Sequence, residues 1–223
     1  MHVFITNFDD VAGYDLEVLN PEATVQDYLD RLNSFQDKFI APCRGCDNCC
    51  WERIPLTYLD VISYIKDPNI RELLPNSIPP LTAFIRRFCY VFGQGPVVDI
   101  FLRQQDNSAC VFLNIDRQIC SNHTSRSLVC QTFICLPHSQ RGEELRNIIV
   151  NTGEDELVRQ YLLEAEALGE PIKFNESQNA SPRLADYPPT VFSGKTSYRE
   201  VRIKDIVPES LWNKLYHPNK QGS

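Results

Sequence analysis

Nine cysteines carry the chemistry of this 223-residue chain, and all of them fall between residues 43 and 135. The densest run is Cys43-Arg-Gly-Cys46-Asp-Asn-Cys49-Cys50, with two residues between successive cysteines until the final doublet. Two intervening residues let both sulfurs turn toward one ion, so this spacing recurs in zinc and iron–sulfur sites. Gly45 relaxes the backbone for such a turn. The run therefore predicts a thiolate metal site.

Other uses of the cysteines fit less well. A bacterial ferredoxin run would place its fourth cysteine at position 53, before a proline, but Arg53 and Ile54 stand there. A zinc ribbon would need a second pair at the same two-residue spacing, and Cys130 and Cys135 are too far apart for that. Secreted disulfide scaffolds are short chains that tend to an even number of cysteines, and adjacent cysteines rarely bridge each other. We therefore expect a reducing compartment and metal-bound thiolates.

Charge and hydropathy exclude two classes of partner. The formal net charge is −7, and it resides in residues 1–37, where eight acidic side chains face one base, Arg31. No basic face is evident, which argues against general nucleic-acid binding. No run of about 18 apolar residues occurs, so a membrane span is not expected. The first residues do not resemble a signal peptide, and we expect a cytoplasmic protein.

Hydrophobic periodicity and capping residues predict the elements that position the cysteines. Thr24 with Asp27, and Thr57 with Asp60, are typical of capping boxes that open helices. Further helices are expected over 81–90, 143–150, 154–168 and 208–216, and a short helix or turn over 128–133. A short extended segment and a loop are expected over 1–20, a strand over 97–102, and a strand–turn–strand over 110–119. Cys89, in an apolar stretch, is expected to pack as a small buried hydrophobe.

Four sequence blocks occur in the order CRGCDNCC, IPLTYLD, CVFLNIDRQIC and SRSLVCQTFIC. Together they resemble the zinc- or iron-chelating CxxCxxCC domain family, the YkgJ-type cysteine-cluster proteins, over about residues 43–135. In that family the last block usually reads R-P-x-x-C-R, whereas Ser127 and Gln131 stand here in place of the proline and the second arginine. The resemblance implies that Arg126 lies at the cofactor, and it implies eight metal ligands: Cys43, Cys46, Cys49, Cys50, Cys110, Cys120, Cys130 and Cys135.

These observations predict an α+β, mostly helical fold with a small metal-organised core of short helices and a β-hairpin. Three parts are expected: an acidic segment over 1–42, the cysteine-cluster domain over 43–135, and a helical and irregular extension over 136–223. Eight thiolates suffice for two four-thiolate sites, or for one site with spare ligands. Arginines beside the cysteines are candidates to offset the negative charge of the site, namely Arg44, Arg53, Arg117 and Arg126. His123 is either a further ligand or a turn residue.

The function indicated is metal binding. The first interpretation is an iron–sulfur cluster, with [4Fe–4S] among its forms, in a structural or electron-transfer role. A structural zinc site is the alternative cofactor. A second alternative is a cluster-dependent enzyme, an oxidoreductase or a protein-modifying methylase, because flagellin lysine N-methylase is similar in its cysteine cluster. No general base or cofactor-binding loop in the sequence specifies a reaction, and the sequence names no protein partner or substrate.

Overall fold

The computed structural model describes residues 1–40 and 46–218. Its strands are β1 (His2–Phe8), β2 (Val11–Glu17), β3 (Cys89–Gln94), β4 (Val97–Leu102), β5 (Leu113–Asn114), β6 (Ile119–Cys120) and β7 (Glu176–Gln178). Its helices are α1 (Val25–Phe39), α2 (Tyr58–Lys66), α3 (Pro68–Arg71), α4 (Pro80–Phe88), α5 (Leu128–Thr132), α6 (Gln140–Leu168), α7 (Ile203–Ile206) and α8 (Glu209–Leu215). The prediction of an α+β, mostly helical fold is confirmed.

Both predicted capping boxes are present. At the start of α1, Thr24 and Asp27 exchange side-chain and backbone hydrogen bonds, and Thr57 and Asp60 do the same at the start of α2. The apolar stripe of α1 is buried, with Tyr28 fully covered. Sequence signals at helix starts are local, which explains why they predicted these two ends correctly.

The N-terminal region differs from the short extended segment and loop that the sequence predicts. β1 and β2 pair in an antiparallel hairpin with Phe8 opposite Val11. The two connecting residues, Asp9 and Asp10, have φ of 45° and 69°. Positive φ at both turn residues is typical of a type I′ turn, for which Asp is an accepted but less common residue than Gly. The turn therefore lacks the strongest sequence signal for a hairpin.

The middle sheet begins where a helix was expected to continue. α4 ends at Phe88, and Cys89 opens β3, which pairs antiparallel with β4 through a turn at Gly95. β7 then adds to β3 in parallel, which gives the order β4-β3-β7. Cys89 is fully buried at the helix–strand junction, as expected of a packing residue.

The two helices predicted over 143–150 and 154–168 are wrong as separate elements, because α6 is one helix of 29 residues. Gly153 lies inside it against the start of α2, where a Cβ would come 2.6 Å from the Cβ of Thr57. A glycine that reads as a helix breaker is therefore required by close packing. No helix in the described residues is long and apolar enough to cross a membrane.

α6 contributes to two hydrophobic cores. Its N-terminal half, with Leu145 and Ile149, packs with α1, β2, α7 and α8. Its C-terminal half, with Leu157 and Tyr161, packs with α2, α4, β3 and β4. Cysteines of the predicted site border the second core, because Cys50, Cys120 and Cys130 pack against it and Cys110 is part of it.

Candidate metal centre

Three parts of the fold carry the described candidate cysteines. Cys49 and Cys50 lie in a 3-10 turn, Asn48–Trp51, and Cys46 precedes it. Cys110 and Cys120 belong to the small β5–β6 ribbon region, where Leu113 pairs with Cys120. Cys130 lies in α5 and Cys135 follows it. Cys43, Arg44 and Gly45 lie outside the described residues.

Backbone hydrogen bonds hold the first two of these parts together. The Cys110 N–H donates to the carbonyl of Cys50 at 2.7 Å, and the Leu113 N–H donates to the carbonyl of Cys110 at 2.9 Å. Phe112 stacks against Tyr64, with ring centroids 5.4 Å apart. Both rings belong to the hydrophobic core that Cys50, Cys120 and Cys130 border.

Three of the sulfur atoms accept hydrogen bonds from a backbone N–H group or a hydroxyl. The Phe112 N–H donates to Cys110 and the Asn122 N–H donates to Cys120. The Ser127 hydroxyl donates to the Sγ of Cys130 at 3.3 Å. Hydrogen bonds to a thiolate favour its charged form, so these donors suit sulfurs that bind a cation.

Burial has the opposite effect on the thiols. It raises the pKa of Cys110 to about 11 and that of Cys130 to about 12, and it raises the pKa of Cys120 as well. The Cys50 thiol donates to Cys49, which lowers the pKa of Cys49 and raises that of Cys50, and the charge of Arg126 lowers the former further. A coordinating metal deprotonates a thiol outright, so most of these thiols need a cation to ionise.

The seven described candidate cysteines divide by exposure into two groups. Cys46 and Cys135 are exposed. The inner cysteine group is half-buried or buried, and electrostatic effects among its members alter their pKa values: Cys49, Cys50, Cys110, Cys120 and Cys130. Within residues 1–40 and 46–218, no three His, Cys, Asp or Glu side chains form a ready-made ion site.

Arg126 lies beside the inner cysteine group in a network that crosses the fold. Its Nη2 donates to Asn33 Oδ1 of α1 at 2.7 Å, and its Nη1 donates to His123 Nε2 at 2.9 Å. Its Nε is buried and has no hydrogen-bond partner among the described residues, and the same holds for the Nδ2 of Asn122. Two unmatched buried donors next to thiols fit an acceptor-rich, negatively charged group.

His123 has its Nε2 occupied as an acceptor, because arginine can only donate. Whether His123 is a further ligand or a turn residue stays a prediction. Of the other arginines considered, Arg53 lies over the ring of Phe101, 6.0 Å from its centroid.

The two departures from the family pattern have structural reasons. Ser127 has φ −59°, which proline shares, and Arg126 before it is extended with ψ 148°. Serine therefore keeps the backbone and adds a cap, since its Oγ accepts the Cys130 N–H at 3.4 Å. Gln131 donates to the carbonyl of Arg126 at 2.8 Å and accepts from Asn33 at 3.0 Å, which closes a ring of hydrogen bonds.

A buried carboxylate that the sequence marks only as a helix cap anchors the cysteine-bearing helix. Asp60, 2% exposed, accepts the Leu128 N–H at the start of α5 at 2.7 Å and the Tyr198 hydroxyl at 2.9 Å. Tyr198 also contacts the Thr57 hydroxyl. Burial raises the pKa of Asp60. The Thr-x-x-Asp signal predicts the cap but gives no sign of the contacts with α5 and Tyr198.

Comparison with known proteins concerns the segment that carries these cysteines. Residues 42–148 match the model of the CxxCxxCC family, whose description is "putative zinc- or iron-chelating domain". The matched segment, just under half of the chain, is similar to that family. The match confirms the resemblance predicted from the cysteine blocks and continues past residue 135 into the start of α6. No curated protein and no solved structure gives a significant match.

Proposed function

We propose that this CxxCxxCC domain holds an iron–sulfur cluster through cysteine thiolates, in a structural or electron-transfer role. The observation that carries the proposal is the inner cysteine group, in which four thiols from three parts of the fold border one core and Cys49 is hydrogen-bonded to one of them, Cys50. Soft thiolate ligands suit iron–sulfur clusters and zinc, and the three-cysteine run with remote further ligands favours the cluster.

At least four of the eight family-matched cysteines are expected to act as ligands. The inner cysteine group supplies enough, and Cys46 and Cys135, together with Cys43, are candidates for the remaining positions. A cluster bound there would supply one-electron chemistry, with a potential set by charge, hydrogen bonds to sulfur and exposure. Arg126 and the donors of Phe112, Asn122 and Ser127 would offset its negative charge.

A structural contribution from the metal follows from the local fold. β5 and β6 have two residues each and α5 has five, so backbone pairing alone holds this region weakly. Metal ligation that joins such short pieces contributes directly to folding. A reducing, cytoplasmic location fits, because all eight described cysteines are thiols.

Anaerobic purification with a visible spectrum and analysis of iron, sulfide and zinc tests the proposal. Broad absorbance near 400 nm with matching iron and sulfide is the expected result. Colourless protein with stoichiometric zinc would overturn the iron–sulfur assignment in favour of the structural zinc site. Reversible loss of colour with dithionite would support electron transfer over a purely structural role.

A pair of variants tests the ligand assignment. Cys130→Ala removes a thiol of the inner group and is expected to lower the metal content, whereas Cys89→Ala removes a buried thiol at the α4–β3 junction and leaves it unchanged. Both changes remove one sulfur from a covered position, so loss of core packing alone affects them alike. Equal metal content in the two variants would remove Cys130 from the ligand set.

A further inference from the structure

A cavity that shares no residue with the candidate metal centre lies between α4, β3 and the C-terminal half of α6. Its volume is about 290 Å³. Cationic and polar side chains line one part of it, chiefly Arg86, Arg103, Lys173 and Tyr161. Ile85, Val91 and Phe174 supply apolar walls. The cavity therefore combines a basic region with an apolar one.

The charge of this cavity runs against that of the whole chain, whose formal net charge is −7. Arg86, Arg103 and Lys173 contribute three positive charges. One carboxylate, Glu170, pairs with Arg86 at 2.9 Å, so three minus one leaves two positive charges at the cavity. An excess of cations in a concave site attracts small anions.

Arg86 is held in place by two contacts, and one of its N–H groups has no acceptor. Its Nη2 binds Glu170, and it also shares a hydrogen bond with Tyr161. Its Nε is buried and has no partner among the described residues. These contacts fix the guanidinium beside the cavity, where its positive charge attracts an anion.

Arg103 is also ordered by the backbone around it. Its Nε and Nη2 donate to the carbonyl of Cys89 at 3.3 and 3.1 Å, and Nη2 also reaches the carbonyl of Arg86 at 3.2 Å. These bonds hold a positive charge at the C-terminal end of α4. Lys173 is exposed, and its backbone N–H donates to the Tyr161 hydroxyl at 3.2 Å, which places this residue at the rim.

We propose that this cavity binds a small organic oxyanion, a carboxylate or phosphate monoester on an aromatic or apolar body. The charged oxygens face Arg86 and Lys173, and the body packs against Val91 and Phe174. The volume suits a ligand of one ring with its charged group and is at the lower end of ordinary ligand pockets.

Calorimetric titration of the full chain at fixed ionic strength tests this proposal with four probes: benzoate, phenyl phosphate, inorganic phosphate and neutral benzyl alcohol. We expect saturable binding of benzoate or phenyl phosphate, with the tighter of the two identifying the charged group. Benzyl alcohol is expected not to bind, and inorganic phosphate to bind more weakly than phenyl phosphate. Absence of saturable binding by both organic anions would overturn the site.

Two lysine variants separate the site from general electrostatics. Lys173→Ala is expected to weaken binding of the organic anion by about tenfold, as loss of a charge-assisted contact does. Lys204→Ala removes the same charge from an exposed position on α7 and is expected to leave affinity unchanged. Equal affinities of the two variants would overturn the assignment of Lys173. Inorganic phosphate binding as tightly as phenyl phosphate would overturn the role of the apolar wall.

Discussion

Asp60→Ala is expected to destabilise the protein by about 3–5 kcal/mol, because this carboxylate satisfies three donors in a dry environment. It accepts the backbone N–H groups of Thr57 and Leu128 at 3.0 and 2.7 Å and the Tyr198 hydroxyl at 2.9 Å. Each unmatched buried donor costs about 1–3 kcal/mol. Tyr198 keeps Thr57 Oγ1 as a partner, so the two N–H groups account for most of the loss.

The assay is equilibrium urea unfolding of the protein as purified, with metal content measured on the same samples. Tyr198→Phe removes one donor and is expected to cost about 1–2 kcal/mol. Asp37→Ala is the matched control, because Asp37 is an exposed acid near the end of α1, and it should stay within about 0.5 kcal/mol of the parent. An Asp60→Ala protein that unfolds like this control would refute the anchoring role. Since α5 carries Cys130, a loss of bound metal is expected to accompany the loss of stability.

Three further changes probe other parts of the fold. Burial raises the pKa of Glu154 to about 7, so the fold favours its neutral form. The stability that protonated Glu154 contributes is complete below its pKa in the unfolded chain, about 4.3, and is lost as pH rises through about 7. Glu154→Gln should therefore flatten stability against pH between about 4 and 8 in thermal unfolding, and an unchanged profile would contradict this. Gly153→Ala should cost about 1–3 kcal/mol because its Cβ would meet Thr57 at 2.6 Å, whereas Gly142→Ala, with nothing nearer than 3.3 Å, should be milder in the same melt. Ser127→Pro should still fold, since φ is −59°, but lose about 1 kcal/mol of capping in urea; failure to fold would show that the serine N–H is needed.

Local sequence signals predicted the parts of the fold that local interactions create. Both capping boxes, the buried stripe of α1 and the burial of Cys89 follow from side chains within a few residues of one another. The β1–β2 hairpin was missed because two aspartates stand where glycine or asparagine usually marks the turn. The break predicted in α6 was wrong because Gly153 serves a contact with Thr57 that the local pattern does not contain.

The candidate site shows the same division. Cysteine spacing and the order of the four blocks predicted the family similarity, because a metal constrains the spacing of its ligands directly along the chain. Which of the eight cysteines are ligands stays a prediction. Which thiols are buried, and which donors face them, depends on segments brought together from far apart. Asn33 reaches Arg126 from 93 residues away and Tyr198 reaches Asp60 from 138 residues away.

The sequence by itself determined the candidate site, a dense set of cysteines in an acidic chain, and its similarity to a zinc- or iron-chelating family. Only the tertiary structure decided how that site is supported, through the anchor of Asp60 on α5 and the network of Arg126. The tertiary structure also creates the basic cavity around Arg86. The residues that line this cavity lie between positions 85 and 175 and share no sequence motif. The physical reason is that ligand spacing is encoded locally, whereas burial and electrostatic environment arise only when distant segments pack together.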